Sequence, residues 1–413
     1  MAHTNEDNQQ ILSNLFRTEY RKITAVLCRR FGLKHIETAE DITSDTFLKA
    51  SEKWNKEGIP PNPTAWLYTV AKNSAKDYLK HNTIFDTKIK HQTCKENSSS
   101  NFEFDFMQKN ISDSQLSLIF VVCDPINSQE SQISLVLQIL FGFSIKEIAL
   151  ALLEKNETIK KRLHRAKKNL KDSNFEILTL SEKNIENRLN IVLKTIYLVF
   201  NEGYYSKSDK YFIRKELCLE VARLLLLLTK NHLTSTPNTN ALLSLVCFQS
   251  SRFDARIDTK GDAILFEEQD RKLWDLELIE RGHYYLVEAC SYDEVSMFHL
   301  EAGIAYWHTT SNEKNKWKHI LQLYNQLLLD KYSPIIALNR AFAFSKVYGA
   351  KEGIQEAEKL QLINLSDYYS LLGFFYTEYN GKKAKEMYTK AINLTKSPFK
   401  RRTLLKQMNK IEE

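Results

Sequence analysis

Turn-forming residues are scarce along this chain, and that scarcity limits what it can fold into. Among its 413 residues are only 11 glycines and 7 prolines, too few for the tight turns of repeated hairpins or a doubly wound sheet. Runs of Leu, Ile, Ala, Lys and Glu follow a helical period instead. The sequence therefore predicts an all-α protein, divided into about two to four domains of roughly 100–200 residues.

Two breaks divide the N-terminal part of this helical pattern. Residues 1–82 form a first block, in which periodicity ends at Gly32, a suitable C-cap, and resumes before the stretch EGIPPNPTAW. Pro63 suits the first turn of the next helix. Periodicity fails over residues 83–110, whose serine, asparagine and charge content is typical of a flexible linker. A second helical block is expected at 111–173.

The remaining residues continue the helical pattern as an extension. We divide it into a helical domain at 174–290 and a repeat-like domain at 291–413. The second domain follows the spacing of a tetratricopeptide helical pair at Tyr376, Ala384, Tyr388, Ala391 and Pro398. Stacked pairs would present a concave face to a peptide or to another domain. An ordinary helical hairpin without a binding role is the alternative.

Positive charge is focused in one stretch of the second block. The net charge of the chain is only +7, but residues 155–171 carry eight lysines and arginines opposed only by Glu157. Focused charge of this kind suits a polyanion, because each neutralised phosphate releases condensed counterions. The stretch is therefore a candidate nucleic-acid interface.

The spacing of apolar residues around this charge leaves two structures open. Residues 144–170 fit one continuous heptad helix and two shorter helices equally well. The local chemistry of LEKNET favours a break at Lys155–Glu157, with Asn156 or Thr158 as the N-cap. In that arrangement residues 158–171 would form a recognition helix that projects basic side chains.

Several segments together resemble the sigma-70 family of bacterial RNA polymerase factors. FSIKEIALALLEKNETIKKRLHRAKKNL is similar to the helix-turn-helix of region 4, AEDITSDTFLKASEKW to region 2.2, and NPTAWLYTVAKNSAKDYLKHN to the helix of regions 2.3 and 2.4. Two such blocks joined by a flexible linker make up the minimal factor of the extracytoplasmic-function (ECF) subfamily. The tail segments IYLVFNEGYYS, EEQDRKLWD and SPIIALNRAFA resemble an ECF group with a large helical extension bearing tetratricopeptide-like repeats.

The resemblance implies a cytoplasmic, non-enzymatic transcription initiation factor without a cofactor or metal. Its partners would be the RNA polymerase core and promoter DNA, and its extension would regulate activity. The repeats would hold a peptide, another protein or the sigma domains themselves. No membrane contact is expected, since the longest apolar run is far shorter than the roughly 20 residues that cross a bilayer. The six cysteines lack metal-ligand spacing and are expected to be buried and reduced.

Region 2 would contact two partners. By resemblance, it docks on the clamp helices of the largest polymerase subunit through Asp41, Ser44, Asp45, Phe47, Leu48 and Lys49. The following helix would engage the −10 element, where a base is flipped into a pocket, through Lys72, Asn73, Lys76 and Lys80. Ser74 and Tyr78 stand where arginines are common in the family, which predicts a weaker grip on phosphates. Merely solvated polar faces are the alternative in both places.

Region 4 would contact the −35 element. The residues that carry this expectation are Thr158, Lys160, Lys161, Arg162, Arg165 and Lys168. They cannot all reach bases: an arginine with two donors specifies a guanine edge, while lysines mostly position the protein on phosphates. We expect Lys161, Arg162 and Arg165 to lie nearest the −35 bases.

An acidic cluster in the extension is the strongest candidate for enzyme chemistry. Its carboxylates are Asp254, Asp258, Asp262, Glu267, Glu268 and Asp270. Three arginines lie among them: Arg252, Arg256 and Arg271. Paired carboxylates can bind a metal or act as acid and base, so a metal-dependent hydrolase is one alternative. The spacing is not that of an EF-hand, and the arginines favour internal ion pairs that orient the extension against the sigma domains. A helical-repeat adaptor with an accessory DNA-binding helix-turn-helix is the other alternative.

Overall fold

The chain folds into two compact units, Met1–Ile196 and Tyr197–Glu413. The computed structural model describes residues 2–32, 35–89, 108–152, 154–172, 182–204, 215–258, 263–291, 293–310, 315–330, 332–395 and 397–411. Within these residues the predicted all-α fold is confirmed, and the only β feature is a single bridge between Ile257 and Ala263. Of the described helices, none combines the length and the apolar content that a bilayer crossing demands.

In the described part of the first unit there are seven α-helices and most of an eighth. Their bounds are α1 (Ala2–Phe31), α2 (Ile36–Glu57), α3 (Pro63–Ile89), α4 (Gln108–Val122), α5 (Gln129–Leu135), α6 (Ile145–Leu152), α7 (Asn156–Asp172) and α8 (Glu182–Tyr204). A π-helical turn, Val136–Leu140, continues α5. Two helix ends follow their sequence signals. Gly32 adopts a left-handed φ of 83° after α1, and Pro63 opens α3.

The helices on both sides of the predicted linker share one core. α1 packs against α2, α3 and α4, and the fully buried side chains Leu27, Leu67 and Phe120 lie in three of these helices. The expected boundaries of the linker at 83 and 110 are wrong. α3 continues to Ile89, because no glycine or proline stops it, and α4 already starts at Gln108. The rest of the predicted linker lies outside the described residues.

The second unit stacks helices along the chain. Their bounds are α9 (Lys215–Thr229), α10 (Pro237–Ser250), α11 (Leu276–Ala289), α12 (Met297–Thr309), α13 (Lys316–Asp330), α14 (Pro334–Tyr348), α15 (Ala350–Glu358), α16 (Ser366–Tyr376), α17 (Gly381–Leu394) and α18 (Pro398–Asn409). From α9 onward, successive helices pack against one another, and α12 packs extensively against α10 as well. The predicted small and aromatic positions of α16 and α17 are buried: Tyr376, Ala384, Tyr388 and Ala391.

The cysteines are only partly as expected. The buried cysteines, none of them in a disulfide among the described residues, are Cys28, Cys123, Cys218 and Cys247, and Cys94 lies outside the described residues. Cys290 is exposed, so the prediction is wrong there. It follows the last residue of α11, where the chain leaves the core.

Gly282 allows α10 and α11 to approach closely. A Cβ at Gly282 would lie 2.7 Å from Cε1 of Phe248, and the Phe248 ring is fully buried and has no room to move aside. Ser244 Oγ of α10 also donates to the Gly282 carbonyl at 2.7 Å. The absence of a side chain at Gly282 therefore sets the spacing of these two helices.

We expect Gly282→Ala to lower the free energy of unfolding by about 2 kcal/mol, because the added methyl overpacks a rigid contact. Gly303→Ala is the matched control within α12. Its Cβ would meet the end of the half-buried Leu323 side chain, with Cδ1 at 3.2 Å and Cδ2 at 3.7 Å. Alanine favours a helix over glycine by about 1 kcal/mol. Thermal and urea unfolding of the full chain measure both variants. Equal stability of the two would contradict the proposed role of Gly282.

Candidate nucleic-acid interface

The basic stretch forms two helices, which confirms the predicted break. α7 begins at Asn156, after a turn that follows α6. The Lys155 carbonyl accepts hydrogen bonds from the amides of Thr158 and Ile159, at 3.0 and 3.2 Å. Lys155 therefore occupies the capping position that was expected for Asn156 or Thr158, so the predicted cap residue is wrong by one position or more.

α7 has one buried face and one open basic face. The residues that pack into the unit are Ile159, Leu163, Ala166 and Leu170. The exposed residues among those expected at the −35 element are Thr158, Lys160, Lys161, Arg165 and Lys168. Within the described residues, no carboxylate pairs with Lys161 or Arg165. Their charge is therefore available to an external polyanion.

Arg162 differs from the other residues expected at the −35 element. Its Nη2 lies 3.0 Å from Glu154 Oε1, and its side chain is only 18% exposed. This ion pair joins α7 to the turn before it. Arg162 therefore contacts the turn, and its expected place near the −35 element stays a prediction.

α2 carries most of the polar face that was expected to bind polymerase. The exposed members of the set are Asp41, Ser44, Asp45, Leu48 and Lys49, and Leu48 is an apolar side chain 58% exposed. Phe47 is 5% exposed, with its ring 5.0 Å from that of Phe16 and 6.2 Å from that of Tyr20. The expectation that Phe47 contacts core polymerase directly is therefore wrong. Successive helical residues point about 100° apart, so Leu48 faces outward while Phe47 supports it from within.

α3 places the residues expected at the −10 element along one side. Asn73 and Lys80 are exposed, while Lys72 and Lys76 are half-buried. The two positions where the family has arginines make internal contacts. Tyr78 forms a 2.8 Å hydrogen bond between its hydroxyl and His35 Nδ1, and Ser74 Oγ accepts from Lys49 Nζ at 3.4 Å. These side chains join α3 to its neighbours instead of facing phosphates.

A pair of ionic contacts between α7 and α2 was missed in the sequence. Lys167 Nζ lies 2.5 Å from Glu40 Oε2, and the two side chains are only 11% and 10% exposed. About one turn away on each helix, Lys171 Nζ lies 3.4 Å from Glu37 Oε2, with both side chains more than 40% exposed. The basic helix is therefore held beside the N-terminal turns of α2, next to Asp41 of the expected polymerase face.

The Lys167–Glu40 pair depends on both of its charges. Burial raises the pKa of the Glu40 carboxyl, and Lys167 opposes that rise through its charge and its hydrogen bond. The nearby carboxylates of Asp41 and Glu37 raise the Glu40 pKa further. Without Lys167, Glu40 would be a buried carboxylate among other carboxylates.

The start of the extension packs within the first unit. Arg188 of α8 forms an ion pair with Asp124. Thr195 Oγ1 donates to Gln132 Oε1 at 3.0 Å, and Gln132 Nε2 donates to the Asp124 carbonyl at 2.9 Å. Gln132 and Thr195 are almost fully buried. α8 is therefore tied to the segment that carries α5, well before the second unit begins.

The acidic cluster pairs with lysines of the second unit. The ion pairs are Asp254 with Lys215, Asp258 with Lys406, Glu267 with Lys346 and Glu268 with Lys410. All four lysines belong to the extension, so the expectation that these acids orient it against the sigma domains is wrong. Asp262 lies outside the described residues, and among those described no group of His, Cys, Asp and Glu is placed to hold a metal ion.

Comparisons with known proteins match two parts of this architecture. Residues 15–83, which include α2 and most of α3, match the family model for sigma-70 region 2. Residues 188–290 match a family of unknown function, DUF6596. An uncharacterized protein of Rhizobium meliloti (strain 1021) is 30% identical over 331 residues, which cover 79% of this chain and 78% of that protein. No solved structure matches the chain.

We expect Lys167→Met to lower the free energy of unfolding by about 3 kcal/mol at neutral pH, because it leaves Glu40 buried and unpaired. The loss should shrink as the pH falls. The pKa of Glu40 is higher in the folded state than in the unfolded state. As the pH falls, folded Glu40 is therefore protonated first, and the folded state becomes more stable relative to the unfolded state. Urea unfolding at neutral and mildly acidic pH measures both effects.

Two variants serve as controls for this ion pair. Lys171→Met breaks the exposed Lys171–Glu37 contact and should cost less than about 1 kcal/mol. The double variant Lys167→Met with Glu40→Gln removes both charges and should recover most of the loss. If Lys167→Met and Lys171→Met had equal effects, the buried pair would not be the stabilising contact.

Proposed function

The chain belongs to the sigma-70 family of transcription initiation factors, and on that premise we propose that it is an ECF-type sigma factor regulated by its own helical extension. Sigma factors are not enzymes; they direct core RNA polymerase to promoters. The observation that carries the proposal is the combination of a region 2 domain with the open basic face of α7 in one compact unit.

The α6–α7 pair is proposed to act as region 4 at the −35 element. Arg165 is the best candidate for a guanine edge, because its guanidinium is exposed and has no carboxylate partner among the described residues. Lys160, Lys161 and Lys168 would contact phosphates, and Arg162 would hold the turn through Glu154. The recognition helix thus has fewer base-contacting candidates than its sequence indicated.

α2 is proposed to dock on the clamp helices of core polymerase. Leu48 would supply the apolar contact, flanked by Asp45 and Lys49, since a large exposed side chain among charges is typical of an interface centre. On α3, the proposed contact with the −10 element uses Asn73 and Lys80, with Lys72 and Lys76 half-covered behind them.

The alternative of a helical-repeat adaptor with an accessory helix-turn-helix accounts for the second unit but leaves region 2 unexplained. It predicts DNA binding without binding to core polymerase. A metal-dependent hydrolase is less well supported, since four carboxylates of the acidic cluster are paired with lysines.

We expect the full chain to bind core polymerase, and Leu48→Ala to weaken that binding about tenfold through loss of a central apolar contact. Lys161→Ala should bind core normally but weaken promoter binding by the holoenzyme, and lower the slope of log affinity against log salt by about one. Pull-down and fluorescence anisotropy measure the two steps.

The controls for these variants lie elsewhere in the chain. Ile126→Ala alters another exposed apolar residue and should leave core binding unchanged, and Lys183→Ala removes an exposed lysine of α8 and should leave the salt slope unchanged. Failure of the unaltered chain to bind core polymerase would support the adaptor instead.

The arrangement of the first unit is proposed to be a closed, DNA-free form. The −10 and −35 elements, named for their positions, lie about 25 base pairs apart, roughly 85 Å at 3.4 Å per base pair. A compact unit of the size of Met1–Ile196 has a radius of gyration of only about 16 Å. α7 and α3 therefore cannot reach both elements while Lys167 stays paired with Glu40. Because α8 is packed on the same unit, the extension is placed to favour or oppose this opening.

We expect Glu40→Gln to increase promoter binding by the holoenzyme several-fold, because it removes the buried charge that holds Lys167 and leaves all DNA-binding lysines in place. Glu37→Gln, which alters the exposed pair, should have little effect. Promoter affinity measured with saturating core polymerase tests both. Weaker promoter binding by Glu40→Gln would contradict the closed form.

A further inference from the structure

Three cations converge in the second unit: Arg252 after α10, Arg271 before α11, and Lys316 at the start of α13. We call them the basic cluster. Arg252 Cζ and Lys316 Nζ lie 5.1 and 5.9 Å from the centre of the Phe266 ring. Arg271 Cζ lies 5.2 Å from the centre of the Trp274 ring. The positive charges therefore surround two aromatic side chains.

The basic cluster lacks a carboxylate partner within the described part of the chain. Acids close to these residues in sequence are engaged elsewhere: Asp254 pairs with Lys215, Glu267 with Lys346 and Glu268 with Lys410. Asp270 accepts a hydrogen bond from the amide of Lys272. Arg252 instead donates to neutral acceptors, the Tyr204 hydroxyl at 2.9 Å and Gln249 Oε1 at 2.8 Å. The convergence of charge is therefore not compensated by the carboxylates of the described residues.

Lys316 is the member of the basic cluster for which the missing carboxylate is most unfavourable, because it is buried. Its side chain is almost fully buried, with the residue 6% exposed. Burial, together with the charges of Arg271 and Arg252, lowers the pKa of its ammonium to about 8. A buried ammonium without a counterion destabilises a fold unless an external group supplies the opposite charge. The position therefore favours a bound anion over a structural role.

Unused hydrogen-bond donors lie in the same place. Trp274 is 7% exposed and its buried Nε1 has no hydrogen-bond partner, and the same holds for Nδ1 of His308. The His308 ring centre lies 4.7 Å from that of Phe266. Burial, Arg252 and Lys316 hold the pKa of His308 far below its usual range, so it remains neutral. Buried polar groups without partners are rare in native proteins and call for an explanation.

We propose that the basic cluster binds a small phosphorylated ligand, whose phosphate oxygens accept hydrogen bonds from Arg252, Arg271, Lys316 and the indole N–H of Trp274. Arginine forks suit phosphate oxygens, and a dianion matches three clustered cations better than a single carboxylate does. Phe266 and Trp274 would border the remainder of the ligand. The site lies wholly within the second unit, so the proposal stands independently of the promoter-binding function.

The test is thermal unfolding of the full chain in sodium phosphate, with sodium acetate and sodium chloride at matched ionic strength. We expect phosphate to raise the melting temperature by about 3 °C once it exceeds its dissociation constant about tenfold. Acetate should do much less. Lys316→Met should abolish the difference between phosphate and chloride, and Trp274→Phe, which keeps the aromatic ring, should weaken phosphate binding about tenfold.

Lys318→Met is the matched control, because Lys318 is an exposed lysine on the same helix and should keep the full response. Without phosphate, Lys316→Met should melt at or above the temperature of the unaltered chain, since it removes an unpaired buried charge; a structural lysine would show the opposite. An equal response to acetate would overturn the choice of phosphate. A response that persists in Lys316→Met would place phosphate elsewhere, for example on α7, and overturn the site.

Discussion

The first unit depends on the buried ion pair between Lys167 and Glu40. Its members come from helices far apart in the chain, and neither charge is stable in that place alone. The pair also sets the rotation of α7. With Lys167 directed at α2 and Ile159 and Leu163 buried, Lys161 and Arg165 must face outward. The ion pair and the apolar face of α7 together determine which of its basic residues are exposed.

Charge is handled in opposite ways in the two units. In the first unit, the buried carboxylate of Glu40 forms an ion pair with Lys167, and this pair holds α2 and α7 together. In the second, Lys316 is buried beside two arginines and no carboxylate of the described residues completes the set. Burying a charge is unfavourable in both units. In the first unit an internal ion pair compensates for it, and in the second unit we propose that a bound anion does.

Local chemistry made much of the fold predictable, while contacts between distant residues were not. Glycine at 32, proline at 63 and the polar turn before α7 each mark a helix end by properties of the residue itself. Lys167 and Glu40 are separated by 127 positions, and no periodicity links them. The ion pair between Arg162 and Glu154 across the turn was missed for a related reason. Phe47 could have been assigned to the core, because its polar neighbours already occupy the open face of α2.

The pairing of the acidic cluster changes how the second unit should lose its structure. In a stacked repeat protein each helix touches only its neighbours, so unfolding can start at an end and proceed stepwise. Here the segment between α10 and α11 reaches α9 through Asp254, α14 through Glu267, and α18 through Glu268. Fraying of the last helix therefore disturbs contacts near the first ones. These contacts close the stack into a loop through largely exposed ion pairs, which salt screens.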